Sequence, residues 1–513
     1  LLEGTKLLLA DNAINNKTIS ARTAVAAIGA TVGDPELVRW GLDGLRRTLD
    51  EWFLSDGATS ESPAYGLMVL NSLWQLGEIL YGYSDPVGYT NADGERFDNL
   101  DIYRDPKYQA VWECMYASLL PSLTYPPIAD SYTTSTLSAI QTMLMAVRFD
   151  VPEFKALLRS RMSDLFLLML YRDESFDVAS APSLDFPDVV FPDWRLAYLR
   201  AGQNGRDATA ILNISDWGGH HHYDSLDLFY WKDGQELLSD LGYLWDHPQA
   251  HMTRRTVAHN LVVVDERDQR TAGRGGDVGV FHALGRFKVT EGASRAYPQS
   301  PIYRRFVAQV EHPGENSYLF DIFRVRGGDR HDFVFHGPGQ RFEAEGLELK
   351  PDGTSLARYQ LTNVRGGQAD NWRLNWRTVG GQLQTLAIDA DDEQVLVADG
   401  WGQRASKDPY TTLPFVIRRR DADTDTLDSR FLSLYEGYSG EPLVKEARTL
   451  QLVGERVDGA EATVGVVVTA GAHRDYILHG MHPLTVSANT EHGDLVFQGR
   501  AGVASLQPSG LEI

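Results

Sequence analysis

The hydrophobic periodicity of the chain changes partway along its length, and this change constrains the fold more than any other feature. Before it, apolar residues recur every three or four positions, as Val38, Leu42 and Leu45 do. After it, short apolar runs such as NLVVVDE are separated by Gly-Gly and Asp-Gly pairs, which are typical of strands joined by turns. The sequence therefore predicts a multidomain α+β protein with helices over 1–190 and strands over 191–513.

The first part predicts helices in series joined by long loops. Asp34-Pro35 is a helix-start signal, and helical spacing also appears near 106–121, 135–148 and 152–171. The loop over 83–105 is long and rich in Tyr, Asp and Asn. This arrangement favours an α/α barrel, toroid or solenoid, and the lack of a fixed sequence repeat makes a short-repeat solenoid the weaker choice.

The second part predicts an antiparallel β-sandwich. Runs such as YLFDIFRVRGG and HDFVFHG have the length and residue types of buried strands, and glycine pairs separate them. The polar run RRRDADTDT ends shortly before residue 428. It predicts either a boundary with a C-terminal sub-sheet from about 428 or a long surface loop.

Charge and composition exclude some classes of function. A chain of 513 residues is expected to form two or three domains. The net charge of −22 argues against nucleic acid as the main partner, although local cations in a cleft could still bind an anionic substrate. No apolar run is long enough for a membrane span. The chain begins at Leu1 rather than at methionine, so we expect a processed or trimmed N-terminus, and a signal peptide could have been removed with it.

Three consecutive histidines, His220 to His222, stand before the apparent strand LDLFYW. If they lie on that strand, His220 and His222 face one side and His221 faces the other. A hairpin turn at KDG would bring Asp240 back toward them, and an adjacent strand that begins after His259 could place this histidine beside the hairpin. Two imidazoles and a carboxylate are a suitable ligand set for zinc or a similar divalent ion.

Spacing alone leaves other ligand sets open. His247 or His251 could take the place of His259, and Asp224 could take the place of Asp240. Three histidines in a loop are also compatible with a polar surface loop that binds no metal.

The motifs GHHHYD, LLSDLGY and RRTVAHNLVVVDE together resemble the heparinase II/III-like polysaccharide lyases, a family that includes heparinases and oligoalginate lyases. The sequences DGATSESPAYG and YRRFVAQV agree with it, and the resemblance extends over roughly 10–340. It implies an N-terminal α/α toroid, here expected to be incomplete, followed by antiparallel β-sandwich domains. It also implies a periplasmic or secreted protein that cleaves a uronic-acid-containing polysaccharide of the alginate or glycosaminoglycan type.

The resemblance assigns roles to the residues of the histidine run and its surroundings. His222, Asp240 and His259 match the family's metal ligands, which hold a structural ion that we expect to be zinc. His220 matches a catalytic histidine beside that site, and His221 is left as the dispensable one.

The remaining catalytic positions lie elsewhere in the chain. Tyr65, in ESPAYG, matches the family's catalytic tyrosine, and Tyr243 resembles a second tyrosine of the cleft. NAINNKTIS matches the segment that neutralises the substrate carboxylate, with Asn16 as the neutralising residue. Many relatives have a histidine in or near this segment, whereas here Lys17 follows the asparagines and could assist or replace Asn16.

The predicted chemistry is β-elimination from a uronate, giving unsaturated uronate ends. The proton on C5 is α to a carboxylate, so its removal requires that the negative charge be neutralised by an amide such as Asn16 or a cation such as Lys17 or Arg255. His220 or Tyr65 would take the proton, and Trp245 could stack on a sugar ring. Packing in the core is the simpler role for each aromatic residue, and helix capping is the simpler role for Asn16.

Two other functions compete with this hypothesis. A non-catalytic carbohydrate-binding protein could use the same scaffold, which would account for the missing histidine. A toroid glycoside hydrolase would need a pair of carboxylates, for which Asp56 and Glu61 are the nearest choice.

Overall fold

The computed structural model of the protein shows helices followed by antiparallel sheets. It describes residues 2–161, 169–171, 180–215, 220–270, 275–312, 314, 316–378, 380–405, 407, 411–422, 426–454, 459–507 and 510–512.

The chain divides into two compact units. The helical unit comprises Leu1–Pro187, Phe191–Trp194 and Trp217–His221, and the strand unit comprises Asp188–Val190, Arg195–Asp216 and His222–Ile513. The division passes through the histidine run, so that His220 and His221 belong to the helical unit whereas His222 belongs to the strand unit.

The α-helices of the described residues lie in the helical unit. They are α1 (Leu2–Leu9), α2 (Thr18–Val32), α3 (Pro35–Glu51), α4 (Pro63–Leu80), α5 (Pro106–Ala117), α6 (Ala139–Arg148) and α7 (Pro152–Arg161). None of them combines the length and the apolarity that spanning a bilayer requires.

Several of these helices begin as the sequence predicts. Asp34 caps α3 by accepting hydrogen bonds from Glu36 N and Leu37 N, and Pro35 occupies the first helical position. Ser62 caps α4 by accepting from Tyr65 N. In each case a polar side chain satisfies backbone N–H groups that have no partner inside the helix.

One apolar core runs through the helical unit. It includes Val38, Leu42 and Leu45 of α3, which face Leu70 and Leu73 of α4 within one buried cluster. The same spacing that identifies the helices in the sequence therefore also defines the face that each helix buries.

The strand unit is built from short and medium-length strands. They are β1 (Val189–Phe191), β2 (Leu196–Ala201), β3 (Ala208–Asn213), β4 (Asp227–Lys232), β5 (Gln235–Leu238), β6 (Leu261–Val264), β7 (Asp277–Leu284), β8 (Phe287–Ala293), β9 (Ile302–Glu311), β10 (Ser317–Arg326), β11 (Arg330–His336), β12 (Phe342–Glu345), β13 (Lys350–Pro351), β14 (Thr362–Gly367), β15 (Trp372–Arg377), β16 (Gln382–Ile388), β17 (Gln394–Trp401), β18 (Thr412–Asp421), β19 (Asp428–Tyr438), β20 (Val444–Thr449), β21 (Leu452–Gly454), β22 (Val464–Ala470), β23 (His473–Thr490), β24 (Gly493–Gln507) and β25 (Gly510–Glu512).

These strands form antiparallel sheets. Within the described residues one sheet has the order β1-β2-β3-β4-β5, a second β12-β15-β16-β19-β10-β9-β8-β7, and a third β13-β14-β17-β18-β11-β6. The last sheet has the order β20-β22-β23-β24-β25, with β21 paired to β23. β19 pairs with β10 and β16 inside the second sheet, so the strands of the last sheet begin at Val444.

Apolar clusters fill the space between the sheets. One contains Val262 of β6 and Phe333 of β11, which belong to the third sheet, together with Phe323 of β10 from the second sheet. Another contains Leu228 of β4 and Trp376 of β15. Two-sided burial explains why strands such as β6 and β10 read as nearly continuous apolar runs rather than as a clean alternation.

Candidate active site and metal centre

An imidazole–carboxylate pair lies in the helical unit. Nδ1 of His220 is 2.8 Å from Oδ2 of Asp130. The Asp130 side chain is 3 % exposed and that of His220 is 29 % exposed, so the carboxylate is enclosed while part of the imidazole meets solvent. The pair can therefore present a polar ring atom to a ligand from a buried support.

Tyr65 stacks on His220. The ring centroids are 3.6 Å apart and the planes are inclined by 22°. Tyr65 is the third residue of α4, and its backbone N–H is held by the Ser62 cap. The start of α4 therefore places a phenol directly beside the imidazole.

The loop that carries Asp130 is attached to the same helix start. Ser62 Oγ donates to the carbonyl oxygen of Asp130 at 2.8 Å, and Ala64 N donates to Ser131 Oγ at 3.1 Å. Asp130 N donates to the carbonyl oxygen of His220 at 3.0 Å. Backbone and side-chain bonds thus join the helix start, the Asp130 loop and His220.

Glu61 is a second carboxyl group close to the pair. Burial raises the pKa of Glu61, the positive form of His220 lowers it, and the negative charge of Asp130 raises it further. Its Oε2 is buried and has no hydrogen-bond partner among the described residues. The protonated form of Glu61 therefore persists to a higher pH than that of a free glutamate.

Asp56 and Glu61, the two carboxyl groups that a glycoside hydrolase would use, have other partners in the structure. Asp56 Oδ2 accepts from the backbone of Asp193 at 2.9 Å and of Trp194 at 3.0 Å, and Oδ1 accepts from Ala58 N at 3.2 Å. Asp56 is therefore used to hold backbone, and Glu61 has Asp130 as its nearby acidic neighbour.

Asn16 approaches the face of α4 that carries Tyr65. Its Nδ2 lies 3.6 Å from Sδ of Met68, which stands one turn beyond Tyr65 and is 47 % exposed. Asn15, rather than Asn16, performs the capping task, since its Oδ1 accepts from Lys17 N and Thr18 N. The side chain of Lys17 is exposed and makes no capping hydrogen bond.

A second cluster of polar residues lies inside the strand unit. His222, Asp224, Asp240 and His259 each offer one ligand atom, and these atoms all lie within 4.8 Å of one another. All four residues are fully buried. The prediction of a histidine–aspartate site that could hold a metal ion is therefore confirmed, and Asp224 joins Asp240 in it rather than replacing it.

The donor atoms of this cluster converge. Nδ1 of His222 is 3.3 Å from Nε2 of His259, and that Nε2 is 3.5 Å from Oδ2 of Asp240. Nδ1 of His259 donates to the carbonyl oxygen of Arg255 at 2.8 Å. That bond fixes the tautomer of His259, so the lone pair on Nε2 points toward the other members of the cluster.

The electrostatics of the cluster fit a divalent cation. Burial, with the negative charges of Asp227 and Asp224, holds the pKa of Asp240 well above its ordinary value. Burial and the positive form of His222 hold the pKa of His259 well below its ordinary value. No donor among the described residues reaches the buried Oδ2 of Asp240. A cation among these atoms would satisfy the carboxylates and the imidazole lone pairs together.

Local backbone features bring the ligands together. Asp240 Oδ1 accepts from the N–H of Gly242 at 2.8 Å, and Gly242 has φ 73°, which a glycine adopts without strain. Asn260 N donates to Asp227 Oδ1 at 2.6 Å, and its Nδ2 donates to the carbonyl of Ser239 at 3.1 Å. Asn260 thereby holds the neighbouring His259 against the β4–β5 hairpin.

Two expectations about the histidines were wrong. The run does not lie on the strand, because β4 begins only at Asp227, and His220 and His222 belong to different units rather than to one strand face. His259 does not precede a strand of the hairpin sheet either, since β6 pairs with β11 in another sheet. Its position depends on the side chain of Asn260 instead.

The other histidines and aromatic residues that the sequence singled out have separate positions. His221 is buried. The expectation that it is dispensable stays a prediction. His247 Nδ1 accepts from Gln249 N and its ring packs on Trp401, whereas His251 is exposed. Neither is a member of the cluster found among the described residues.

The residues of the strand unit that are predicted to contact substrate differ in their solvent exposure. Trp245 is highly exposed and Tyr243 is half-buried. Arg255 Nε is 3.4 Å from Asp268 Oδ2, and its carbonyl supports His259. Contact of these side chains with substrate stays a prediction.

Asp130 is the candidate residue that sequence reasoning missed. It lies 90 residues before His220 in the chain, in the segment PPIADSY, which contains no local signal of chemistry. Only the fold brings it to the histidine.

The helices and antiparallel sheets are those of a polysaccharide-lyase fold, and solved structures of such enzymes match nearly all of this chain. A heparinase III has a TM-score of 0.66 at 12 % identity, with 97 % of this chain and 68 % of that one covered. A heparan sulfate lyase variant from Pedobacter heparinus has a TM-score of 0.63 at 12 % identity, with the same coverages. A second heparinase III has a TM-score of 0.61 at 13 % identity, with 97 % of this chain and 70 % of that one covered.

These likenesses, together with the helices and antiparallel sheets, confirm the predicted fold class of an α/α toroid followed by a β-sandwich. A search of curated proteins gave no significant match. Residues 185–429 match the family model described as heparinase II/III-like, C-terminal. The resemblance found in the motifs is thereby confirmed.

Proposed function

We propose that the protein is a polysaccharide lyase that cleaves a uronic-acid-containing polysaccharide or oligosaccharide by β-elimination. The observation that carries the proposal is the stack of Tyr65 on His220, with the imidazole supported by Asp130 and partly open to solvent. The match of residues 185–429 to the heparinase II/III-like family model and the likeness of the fold to the heparinase structures support it.

The reaction requires a base and an acid at neighbouring carbons of the uronate. The C5–H bond breaks as its proton passes to the base, a C4=C5 double bond forms, and the C4–O bond breaks as its oxygen receives a proton. His220 has a suitable side chain for the base, and the Tyr65 hydroxyl is suited to protonate the leaving oxygen. On the opposite C5 epimer Tyr65 would perform both steps.

Neutralisation of the substrate carboxylate falls to the segment before α2. The Asn16 amide lies on the same face of α4 as Tyr65, through its contact with Met68. An amide that donates to an oxygen on which negative charge develops stabilises the transition state more than the bound substrate. The exposed ammonium of Lys17 adds long-range attraction for an anionic chain.

The buried cluster of the strand unit would hold a divalent metal ion, for which we propose zinc. His222, Asp240 and His259 would be ligands, with Asp224 as the fourth. The bound ion would act as an internal cross-link of β4–β5 to the start of β6, not as a reactant.

The proposed substrate is a polymer of the alginate or glycosaminoglycan type, and the proposed location is periplasmic or secreted. Purified protein would be incubated with a panel of such polymers while the ultraviolet absorbance of unsaturated uronate is followed. We expect absorbance to rise with at least one of them. Saturated products from every polymer would contradict the proposal, and binding without turnover would favour the carbohydrate-binding alternative.

A further inference from the structure

We propose that Asp130 is a positioning residue for His220, which holds the imidazole in the tautomer that carries its proton on Nδ1. This inference rests on the proposed function, because it assigns the other ring nitrogen, Nε2, as the atom that receives the C5 proton.

The geometry of the pair favours one donor and one acceptor. The separation of 2.8 Å between Nδ1 and Oδ2 is that of a strong hydrogen bond to a carboxylate. An ionised carboxylate can only accept, so the proton must lie on Nδ1 and the lone pair on Nε2. A base needs that lone pair.

Asp130 is also fixed independently of its carboxylate. Its N–H donates to the His220 carbonyl and its own carbonyl accepts from Ser62 Oγ. His220 and Asp130 are thus joined twice, once through the backbone and once through the side chains. This double attachment sets both the position and the rotation of the imidazole.

Two neighbours complete the arrangement. The Tyr65 ring covers one face of the imidazole at 3.6 Å and restricts its rotation. Glu61 lies close to the pair, but its buried Oε2 has no hydrogen-bond partner among the described residues, whereas Asp130 makes the bond to Nδ1. The structure therefore assigns the positioning role to Asp130 rather than to Glu61.

The decisive variant is Asp130→Asn, which keeps the size of the side chain. Its amide can donate to Nδ1 and so favour the tautomer with the proton on Nε2, which cannot accept another. We expect kcat to fall at least about 100-fold while KM stays within about threefold. In a His220→Ala background the same change should have almost no further effect, because the two residues act as a unit.

Asp85→Asn is the matched control. Asp85 is a buried aspartate of the same unit that accepts from Phe97 N and pairs with Arg39, neither of which is a site residue. We expect this variant to keep kcat. An equal loss of kcat in both variants would reduce Asp130 to a structural residue and overturn the inference, as would an unchanged kcat in Asp130→Asn.

A second readout works without turnover. Nitrogen-15 spectra of histidine-labelled protein, assigned with His220→Gln, distinguish the two neutral tautomers of His220. We expect the Nδ1–H form in the wild type and its loss in Asp130→Asn. If the wild type cleaves no polymer, the proposed function fails, and the spectra alone then decide the role of Asp130: an unchanged tautomer would overturn it.

Discussion

The two polar sites use the same residue types under opposite conditions. In the helical unit, His220 is partly open and its carboxylate partner is enclosed. In the strand unit, His222, Asp240 and His259 are completely buried. A partly open imidazole can exchange a proton with a substrate, whereas a fully enclosed set of ligands suits a permanently bound ion. The comparison indicates that accessibility, more than residue type, distinguishes the site proposed for catalysis from the site proposed for metal binding.

The largest expected effect tests the open site. We expect Tyr65→Phe and His220→Ala each to lower kcat by about 10³-fold or more, because the proposed mechanism assigns a proton transfer to each side chain. Tyr81→Phe, at the other end of α4, should leave kcat unchanged. Initial rates of absorbance increase give the measurement, and thermal unfolding checks that the variants fold. Nearly wild-type rates in Tyr65→Phe would remove the phenol from the mechanism.

The next largest effect tests whether the Asn16 amide or the Lys17 ammonium neutralises the substrate carboxylate. We expect Asn16→Ala to lower kcat by about 10²-fold, since an amide aimed at the developing charge acts mainly in the transition state. Lys17→Ala should instead raise KM severalfold with little change in kcat, because an exposed cation contributes long-range attraction. The reverse pattern of kcat and KM would show that Lys17 has replaced Asn16.

Metal removal tests the enclosed site. We expect chelation of the metal, or His259→Ala, to lower the free energy of unfolding by roughly 3 kcal/mol, since the remaining carboxylates and imidazole stay buried without compensation. Metal analysis of the purified protein and urea unfolding give the two measurements. His251→Ala, which changes an exposed histidine outside the cluster, is the control. Equal metal content in both variants would contradict the ligand assignment.

The smallest effect separates burial from metal binding. His331 is as buried as the cluster histidines, but protein atoms bind both of its ring nitrogens, namely Ser429 Oγ and the Gly327 carbonyl. Burial lowers the pKa of His331 to about 4. The folded pKa lies below the unfolded value of about 6.5, so the unfolded state binds the proton first as pH falls.

The neutral His331 therefore contributes its full stability above pH 6.5 and loses it between pH 6.5 and about 4. Between pH 7 and pH 5 we expect the wild type to lose about 2 kcal/mol more of its unfolding free energy than His331→Gln does. Urea unfolding at the two pH values gives the difference. Parallel losses in both proteins would mean that His331 does not become protonated on unfolding.

The sequence predicted those features that depend on neighbouring residues. The Asp34-Pro35 signal marks the true start of α3, and the apolar run after His259 is β6. The fold class followed from the change of periodicity, and the predicted ligands His222, Asp240 and His259, which the motif resemblance indicated, do converge.

The sequence did not predict contacts that the fold alone creates. Asp130 reaches His220 across 90 residues, and nothing in PPIADSY indicates it. The alternation rule failed for His220 and His222 because it assumes a strand, and the backbone there is not yet extended into one. Asp224 was considered only as a substitute for Asp240, since spacing cannot show that two carboxylates share one site.

The hydroxyl of Ser62 limits what evolution or design can place at the start of α4. It accepts from Tyr65 N and donates to the Asp130 carbonyl with one atom, in a fully buried position. Aspartate is normally an equally good helix cap, but its carboxylate cannot donate and would face a carbonyl oxygen here. A substitution that keeps the helix could therefore still separate it from the Asp130 loop, so helix propensity is a poor guide to tolerance at this position.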